Sequence, residues 1–310
     1  MNKEIFEMIE EVARDKNAEL DLSEKALTEL PSELFQLSHL QSLYLDENQL
    51  SFLPPDIAQL SQLKLLSLNE NQLLFLPPEI AQLSQLEELD IDDNQLTLLT
   101  DDIVKLSQLK RLTLSNNQLI ALPSEISQLP KLRELDLSNN RLIAMPPEIP
   151  CLTQLKNLDI SGNQLTEILP EIAKLVKLRD LNLSNNLLTT LPSTFSQLSM
   201  LKHLDISINK LTSLPQSLCQ LTRLRELYLN ENALEILPTE ISQLSELEWF
   251  DIRENQLTSL PSSISQLSQL EWLLLEGNSL PIPDSLLEKI DEPDEIINNY
   301  LSTSSINQVS

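Results

Sequence analysis

Along most of the chain the apolar positions follow one order, and its period changes part-way through each cycle. In Leu40–Gln62, LQSLYLDENQLSFLPPDIAQLSQ, Leu43 and Leu45 alternate with Ser42, Tyr44 and Asp46. This is the period of two of a strand with one face buried, and it predicts a strand over Ser42–Asp46. Further on, Leu53, Ile57 and Leu60 are spaced i, i+4 and i+7. That spacing predicts a short helical or 3-10 turn, with Pro54 at its start, where a missing N–H does no harm. Between the two patterns stands Asn48, whose amide can bond backbone groups of its own and the adjacent cycle. The asparagine recurs as Asn71, Asn94, Asn117, Asn140, Asn163, Asn186, Asn209, Asn232, Asn255 and Asn278, every step 23 residues and none interrupted.

A fixed step in this range, with leucines in an LxxLxLxxN frame, predicts a leucine-rich repeat solenoid. The expected fold is an α/β horseshoe with a concave parallel β-sheet and short helical or 3-10 turns on the convex side. Each cycle is one coil, and coils touch only their neighbours, so both ends need lids. Residues 1–16 form the expected N-terminal capping helix, with Ile5, Phe6, Ile9, Val12 and Ala13 on one face over positions 2–15. Residues 17–290 hold one imperfect coil and eleven coils of 23 residues. In the imperfect coil, Asn17–His39, Lys25 occupies the asparagine position. Residues 291–310 are assigned to a C-terminal cap and polar tail.

Departures from the frame are local. Thr100 and Leu169 replace the first proline of their turns, and Gly162 reads as an isolated turn residue. Pro281 and Pro283 end the pattern. Short helices are predicted over Asp284–Ile290 and Pro293–Leu301, with Leu286, Leu287, Ile290, Ile296, Ile297, Tyr300 and Leu301 covering the last coil. Ser302–Ser310 reads as a disordered tail.

Charge narrows the partners. The net charge is −26, the wrong sign for neutralising phosphates, so neither nucleic acid nor a membrane surface is expected. A protein with a basic surface is the expected partner. Catalysis finds no footing either. Two glycines, Gly162 and Gly277, cannot build a phosphate loop or a nucleophile elbow. The two histidines, His39 and His203, fall at different frame positions with no cysteine or histidine nearby. Carboxylates on an open sheet have no pocket to separate their pKa values. The chain therefore reads as non-enzymatic, without cofactor or metal. Cys151 and Cys219 lie three coils apart, which at roughly 5 Å per coil exceeds the ~7 Å reach of a disulfide. The first twenty residues read as an acidic amphipathic helix rather than a leader, and no apolar run is long enough to span a membrane. The NxS match at Asn182 falls on a predicted strand and needs no glycan. A reduced, cytoplasmic protein is expected.

Specificity must lie in positions that vary between coils. The third residues run Ser42, Leu65, Glu88, Arg111, Glu134, Asn157, Asp180, His203, Glu226, Trp249 and Trp272. The fifth residues run Tyr44, Ser67, Asp90, Thr113, Asp136, Asp159, Asn182, Asp205, Tyr228, Asp251 and Leu274. From these columns the candidate partner-binding residues are Tyr44, Asp90, Asp136, Asp159, His203, Asp205, Tyr228, Trp249, Asp251 and Trp272. The acidic members suit a basic partner, although Asp is also ordinary wetting for such a face. Tyr228, Trp249 and Trp272 with Leu274 form an aromatic patch of hot-spot type. The pattern leaves open whether the C-terminal helices bury Trp272 and Leu274.

The LxxLxLxxNxLxxLPxxIxxL frame resembles the intracellular repeats of Ras-binding scaffold proteins and of bacterial Roco proteins. Ile9–Leu34, IEEVARDKNAELDLSEKALTELPSEL, and Gly277–Leu301, GNSLPIPDSLLEKIDEPDEIINNYL, look like the segments that flank Roco-type repeats. In those proteins the second leads into a Roc GTPase domain, whereas no GxxxxGK[ST] follows here. The resemblance implies a protein-interaction module acting on a small GTPase or Roc-type domain. The alternative it implies is a regulatory repeat domain cut from a longer Roco GTPase. A more distant alternative is the substrate-recognition part of a catalytic effector, whose cysteine-bearing catalytic domain is not in this sequence. Oligomeric state is not indicated.

Overall fold

The computed structural model describes residues 3–307, without the side chains of Asp284 and of residues 303–307. The chain divides into two compact units, Met1–Leu142 with Pro146–Asn157, and Ile143–Met145 with Leu158–Ser310.

The first unit opens with α1 (Lys3–Asp15), followed by β1 (Glu19–Asp21), β2 (Ser42–Tyr44), β3 (Leu65–Ser67), β4 (Glu88–Asp90), β5 (Arg111–Thr113) and β6 (Glu134–Asp136). These strands pair in parallel and in chain order, and the 23-residue step sets their register: Ser42, Leu65, Glu88, Arg111 and Glu134 are successive partners. β7 (Asn157–Asp159) falls where the units are divided. The second unit continues with β8 (Asp180–Asn182), β9 (His203–Asp205), β10 (Glu226–Tyr228), β11 (Trp249–Asp251) and β12 (Trp272–Leu274). Here Asp180, His203, Glu226, Trp249 and Trp272 are partners in the same parallel register. Two helices close the chain, α2 (Asp284–Leu287) and α3 (Pro293–Asn307).

Each strand has three residues where the alternation predicted five. The inter-coil bonds run on, with Leu45 N donating to Ser67 O and Glu47 N to Asn69 O, both at 2.9 Å. What ends the strand is the backbone at Glu47, which is left-handed (φ 53°). The residue before the repeated asparagine is left-handed throughout: Glu24, Glu47, Glu70, Asp93, Asn116, Asn139, Gly162, Asn185, Ile208, Glu231, Glu254 and Gly277. Gly162 is therefore not an isolated turn residue. It occupies a position that every coil bends in the same way.

The asparagine then closes the bend. Asn48 Nδ2 donates to Leu45 O of its own coil and to Leu22 O of the preceding one, both at 2.9 Å, while its Oδ1 accepts from Leu27 N at 2.9 Å. The same set recurs at Asn71, Asn117 and Asn140. One side chain thus satisfies buried donors and acceptors of two coils, as an unpaired buried backbone group would require.

Opposite the strands every turn is 3-10. The first proline is the residue before each turn, extended at φ −71° and ψ 152° for Pro54. Where Thr100 replaces it, the hydroxyl accepts from Asp102 N and caps the turn instead. Leu169 takes the same backbone conformation with no side-chain cap. In the coil with Pro150 the turn shrinks to Ile149–Cys151, because that proline has no N–H to give. Between the walls lies a leucine core: Leu43, Leu45, Leu50, Ile57 and Leu60 are fully excluded from solvent.

The lids differ in part from expectation. In α1, Ile5, Ile9 and Val12 are buried, but Phe6 is only half-buried and Ala13 is exposed. Ala13 lies one residue past the i, i+4, i+7 row, which rotates it off the coil. At the other end α2 stops at Leu287, three residues short of expectation. Ile290 instead lies in a turn and accepts from Leu273 N at 2.9 Å, so a single turn carbonyl satisfies a donor on the outer edge of β12. α3 runs to Asn307, so the stretch from Ser302, read as a disordered tail, is helical as far as Asn307; residues 308–310 lie outside the described residues. Ile296, Ile297 and Tyr300 are buried, and the Tyr300 hydroxyl accepts from Leu260 N at 2.9 Å.

Candidate functional site: the open face of the strands

The strand side chains that do not enter the core line one open face in each unit. Their exposure differs from what alternation alone suggests. In the fifth column Ser67, Asp90, Thr113, Asp251 and Leu274 are buried although they point away from the leucine core. Parallel neighbours stand only about 4.8 Å apart, so longer third-column side chains and flanking strands close over short ones.

Two predicted binding residues, Asp90 and Asp251, are therefore built into the face rather than displayed on it. Asp90 accepts from Thr113 Oγ1 at 3.2 Å and lies 3.5 Å from Arg111 Nε. Desolvation is the largest influence on its carboxyl and raises its pKa, against the opposing pull of Arg111. Asp251 is 2% exposed and is held by Arg253 through Nε at 3.0 Å and a terminal nitrogen at 2.6 Å.

The remaining candidates are partly accessible. In the first unit Tyr44 and Asp136 are half-buried, and Arg111 Nε sits 3.4 Å from Glu134 Oε1. In the second unit Asp159, His203 and Asp205 are half-buried. Asp205 Oδ1 accepts from Ser207 N at 2.8 Å and Ser207 Oγ at 2.6 Å. Burial nevertheless raises its pKa, as it does that of Asp90, so the open face desolvates these two carboxyls without a pocket. His203 Nδ1 contacts Asp180, and its Nε2 lies 3.7 Å from Glu226 Oε1, so the imidazole bridges two carboxylates.

Three aromatics come together on β10, β11 and β12. Tyr228 and Trp249 have ring centroids 6.2 Å apart, and Trp249 and Trp272 5.2 Å apart with planes tilted by 30°. All three rings are half-buried, while Leu274 is buried. Of the two residues left open by the sequence, Leu274 is buried and Trp272 stays partly open. The Tyr228 hydroxyl donates to Glu226 Oε2 at 3.1 Å, and burial first, then Glu226, pushes its pKa up to about 12. The Trp249 indole N–H has no acceptor among the described residues, so stacking rather than hydrogen bonding holds this ring.

Two further columns escaped a reading of only the third and fifth positions. The second residue of the coil is basic at Lys64, Lys110, Arg133 and Lys156, and again at Arg179, Lys202 and Arg225. Each unit therefore has a cationic margin beside its acidic face. After the asparagine, Phe52, Leu74, Phe75, Leu98 and Ile120 form an exposed apolar stripe in the first unit. Tabulating every frame position would have shown both. Among the described residues there is no cluster that could hold a metal ion, and no helix is long and apolar enough to cross a membrane.

Stacked strand–turn coils with an open face bearing variable side chains define a solenoid scaffold of the kind that typically mediates protein–protein interaction. The leucine rich repeat family model matches residues 18–73, 84–142, 153–211, 191–234 and 223–280, and the chain belongs to the leucine-rich repeat family. A leucine-rich repeat protein of Leptospira interrogans is 32% identical, covering 94% of this chain and 98% of its own, with a TM-score of 0.52. An internalin of Listeria monocytogenes shares the fold at 21% identity, with 94% of each chain covered and a TM-score of 0.74. The Arabidopsis receptor kinase HAESA, solved with the peptide hormone IDA and the co-receptor SERK1, is 30% identical with a TM-score of 0.71. That match covers 86% of this chain and 51% of the receptor, so the chain spans about half of its length. Among curated proteins none matches.

Proposed function

We propose that the protein is a non-enzymatic interaction module whose open strand face docks a partner protein with a basic surface. The aromatic ladder carries this reading: Tyr228, Trp249 and Trp272 are stacked and partly exposed on a face that is otherwise polar. Large aromatics left accessible in such a setting are the usual anchors of an interface. Acidic neighbours such as Asp180, Glu226 and Asp205 favour a cationic partner by charge complementarity. The receptor HAESA, by its description, holds a peptide hormone and a co-receptor, which supports a protein or peptide partner here. The two flanking segments that resemble those of Roco repeats make a small GTPase or Roc-type domain the first candidate, and the cytoplasm the compartment in which to look.

The test is affinity capture from cytosol, with and without a non-hydrolysable GTP analogue, comparing wild type, Trp249→Ala and an Ile120→Ala control away from the strand face. A partner kept by the control and lost by Trp249→Ala supports the docking face. Equal recovery by all three proteins overturns it. A nucleotide-dependent partner supports the GTPase link, and capture indifferent to nucleotide removes it.

A further inference from the structure

Next to the aromatic ladder, a groove of about 600 Å³ runs between the end of the sheet and the start of α3. Trp272 and Leu270 line it on the strand side, and Pro293 with acidic residues on the other. Two of those acids are neutralised, since Lys289 Nζ lies 3.6 Å from Glu292 and 2.6 Å from Glu295. Glu271, Asp291 and Asp294 are exposed and have no cationic partner among the described residues. The groove thus combines an indole wall with three unbalanced carboxylates.

We propose that this groove accepts an arginine side chain of a peptide whose extended backbone crosses Tyr228, Trp249 and Trp272. The chemistry favours a guanidinium on three counts. Indole is the strongest aromatic partner for a cation. A planar guanidinium stacks on such a ring while its edge donates to carboxylates in pairs. An arginine stem covers apolar surface such as Leu270 while its head stays among the acids. The groove is continuous with the ladder through Trp272, which belongs to both. This inference rests on the docking-face reading and specifies what the second unit recognises there.

The site carries its own reporter, because Trp249 and Trp272 are the protein's only two tryptophans. A short acetylated oligo-arginine peptide, titrated at about 0.15 M salt to screen long-range attraction, should change tryptophan emission saturably. Oligo-glutamate and Gly-Ser peptides should not. The Glu271→Gln/Asp294→Asn variant should weaken oligo-arginine binding by at least about fivefold, as expected for lost charge-assisted contacts. Glu24→Gln/Glu70→Gln, which removes the same charge from the first unit, should stay within about twofold. Absence of a saturable change, or equal losses in both variants, would overturn the arginine groove. If oligo-arginine fails while Trp249-dependent capture persists, the groove falls and the docking face stands. If oligo-arginine binds but capture ignores Trp249→Ala, the docking-face reading is the one that fails.

Discussion

At the scale of single residues, the left-handed bend before the asparagine is the most demanding position in the coil. Glycine, asparagine and acidic residues take it in most coils, but Ile208 takes it at φ 53°. A β-branched residue there crowds its own carbonyl, and it gains little in return because Ile208 is 43% exposed. Asn116, Asn139 and Asn185 hold the equivalent position at φ 50–52°. Ile208→Asn should therefore stabilise the protein by about 1 kcal/mol. A urea melt that shows no gain would mean the strain is absorbed elsewhere. The twelve-fold recurrence of this bend also shows why Gly162 carried no special message. The composition of the column conceals its conformation, because acidic residues tolerate left-handed backbone less visibly than glycine does.

At the scale of elements, each coil is a strand, a bend, an asparagine clamp and a 3-10 turn, and the leucine frame predicts nearly all of it. The ends are less regular because they must stop the repetition. Tyr300 on α3 supplies its hydroxyl to both Leu260 N (2.9 Å) and Leu260 O (3.3 Å), two buried backbone groups of the last turns. Tyr300→Phe keeps the ring and strands both groups, so it should cost about 1–3 kcal/mol. Hydrogen exchange confined to the last coil, or a shift in the melt, would register the loss; an unchanged melt together with unchanged exchange at Leu260 would contradict the capping role. The expected helix over Asp284–Ile290 shortens for the same reason. An unpaired strand edge needs a backbone acceptor more than another helical turn, and Ile290 provides it.

At the scale of the whole molecule, charge dominates. Burial raises the pKa of Asp90 and Asp205, and repulsion from Glu24 and Glu70 raises that of Glu47. For a carboxyl raised in the folded state, the penalty is full above the folded pKa and vanishes below the unfolded one, so stability rises as pH falls. Glu87 beside Lys110 and Glu295 beside Lys289 are lowered and work in the opposite sense. These are partly exposed pairs of small worth, and the net charge of −26 adds to the first group. Thermal stability should therefore increase from neutral pH down to roughly pH 5. Asp205→Asn should raise stability at neutral pH and flatten this trend. The chain already contains the solution, for Asn182 occupies the same column, accepts from Ser184 N at 3.0 Å and donates to Asp159 at 2.8 Å. A melting temperature that falls steadily on acidification, or an Asp205→Asn variant with an unaltered pH profile, would contradict the assignment.

The sequence by itself determined the coil. A 23-residue step aligns identical positions on neighbouring strands, so leucines meet leucines and each asparagine meets the next coil's backbone, whatever the rest of the chain does. It also placed Glu226, Trp249 and Trp272 in one register, with Tyr228 one column over. What it could not supply is depth. Whether a side chain on the open face is displayed or engulfed depends on the length of its neighbours and on their partners. Asp90 and Asp251 are drawn down by Arg111 and Arg253, and Leu274 is covered while Trp272 keeps an open edge. That edge faces a groove which exists only because Ile290 accepts from β12 and α3 starts beside it. Residues remote in order are brought together there by the end of the repetition, and only the tertiary structure could decide it.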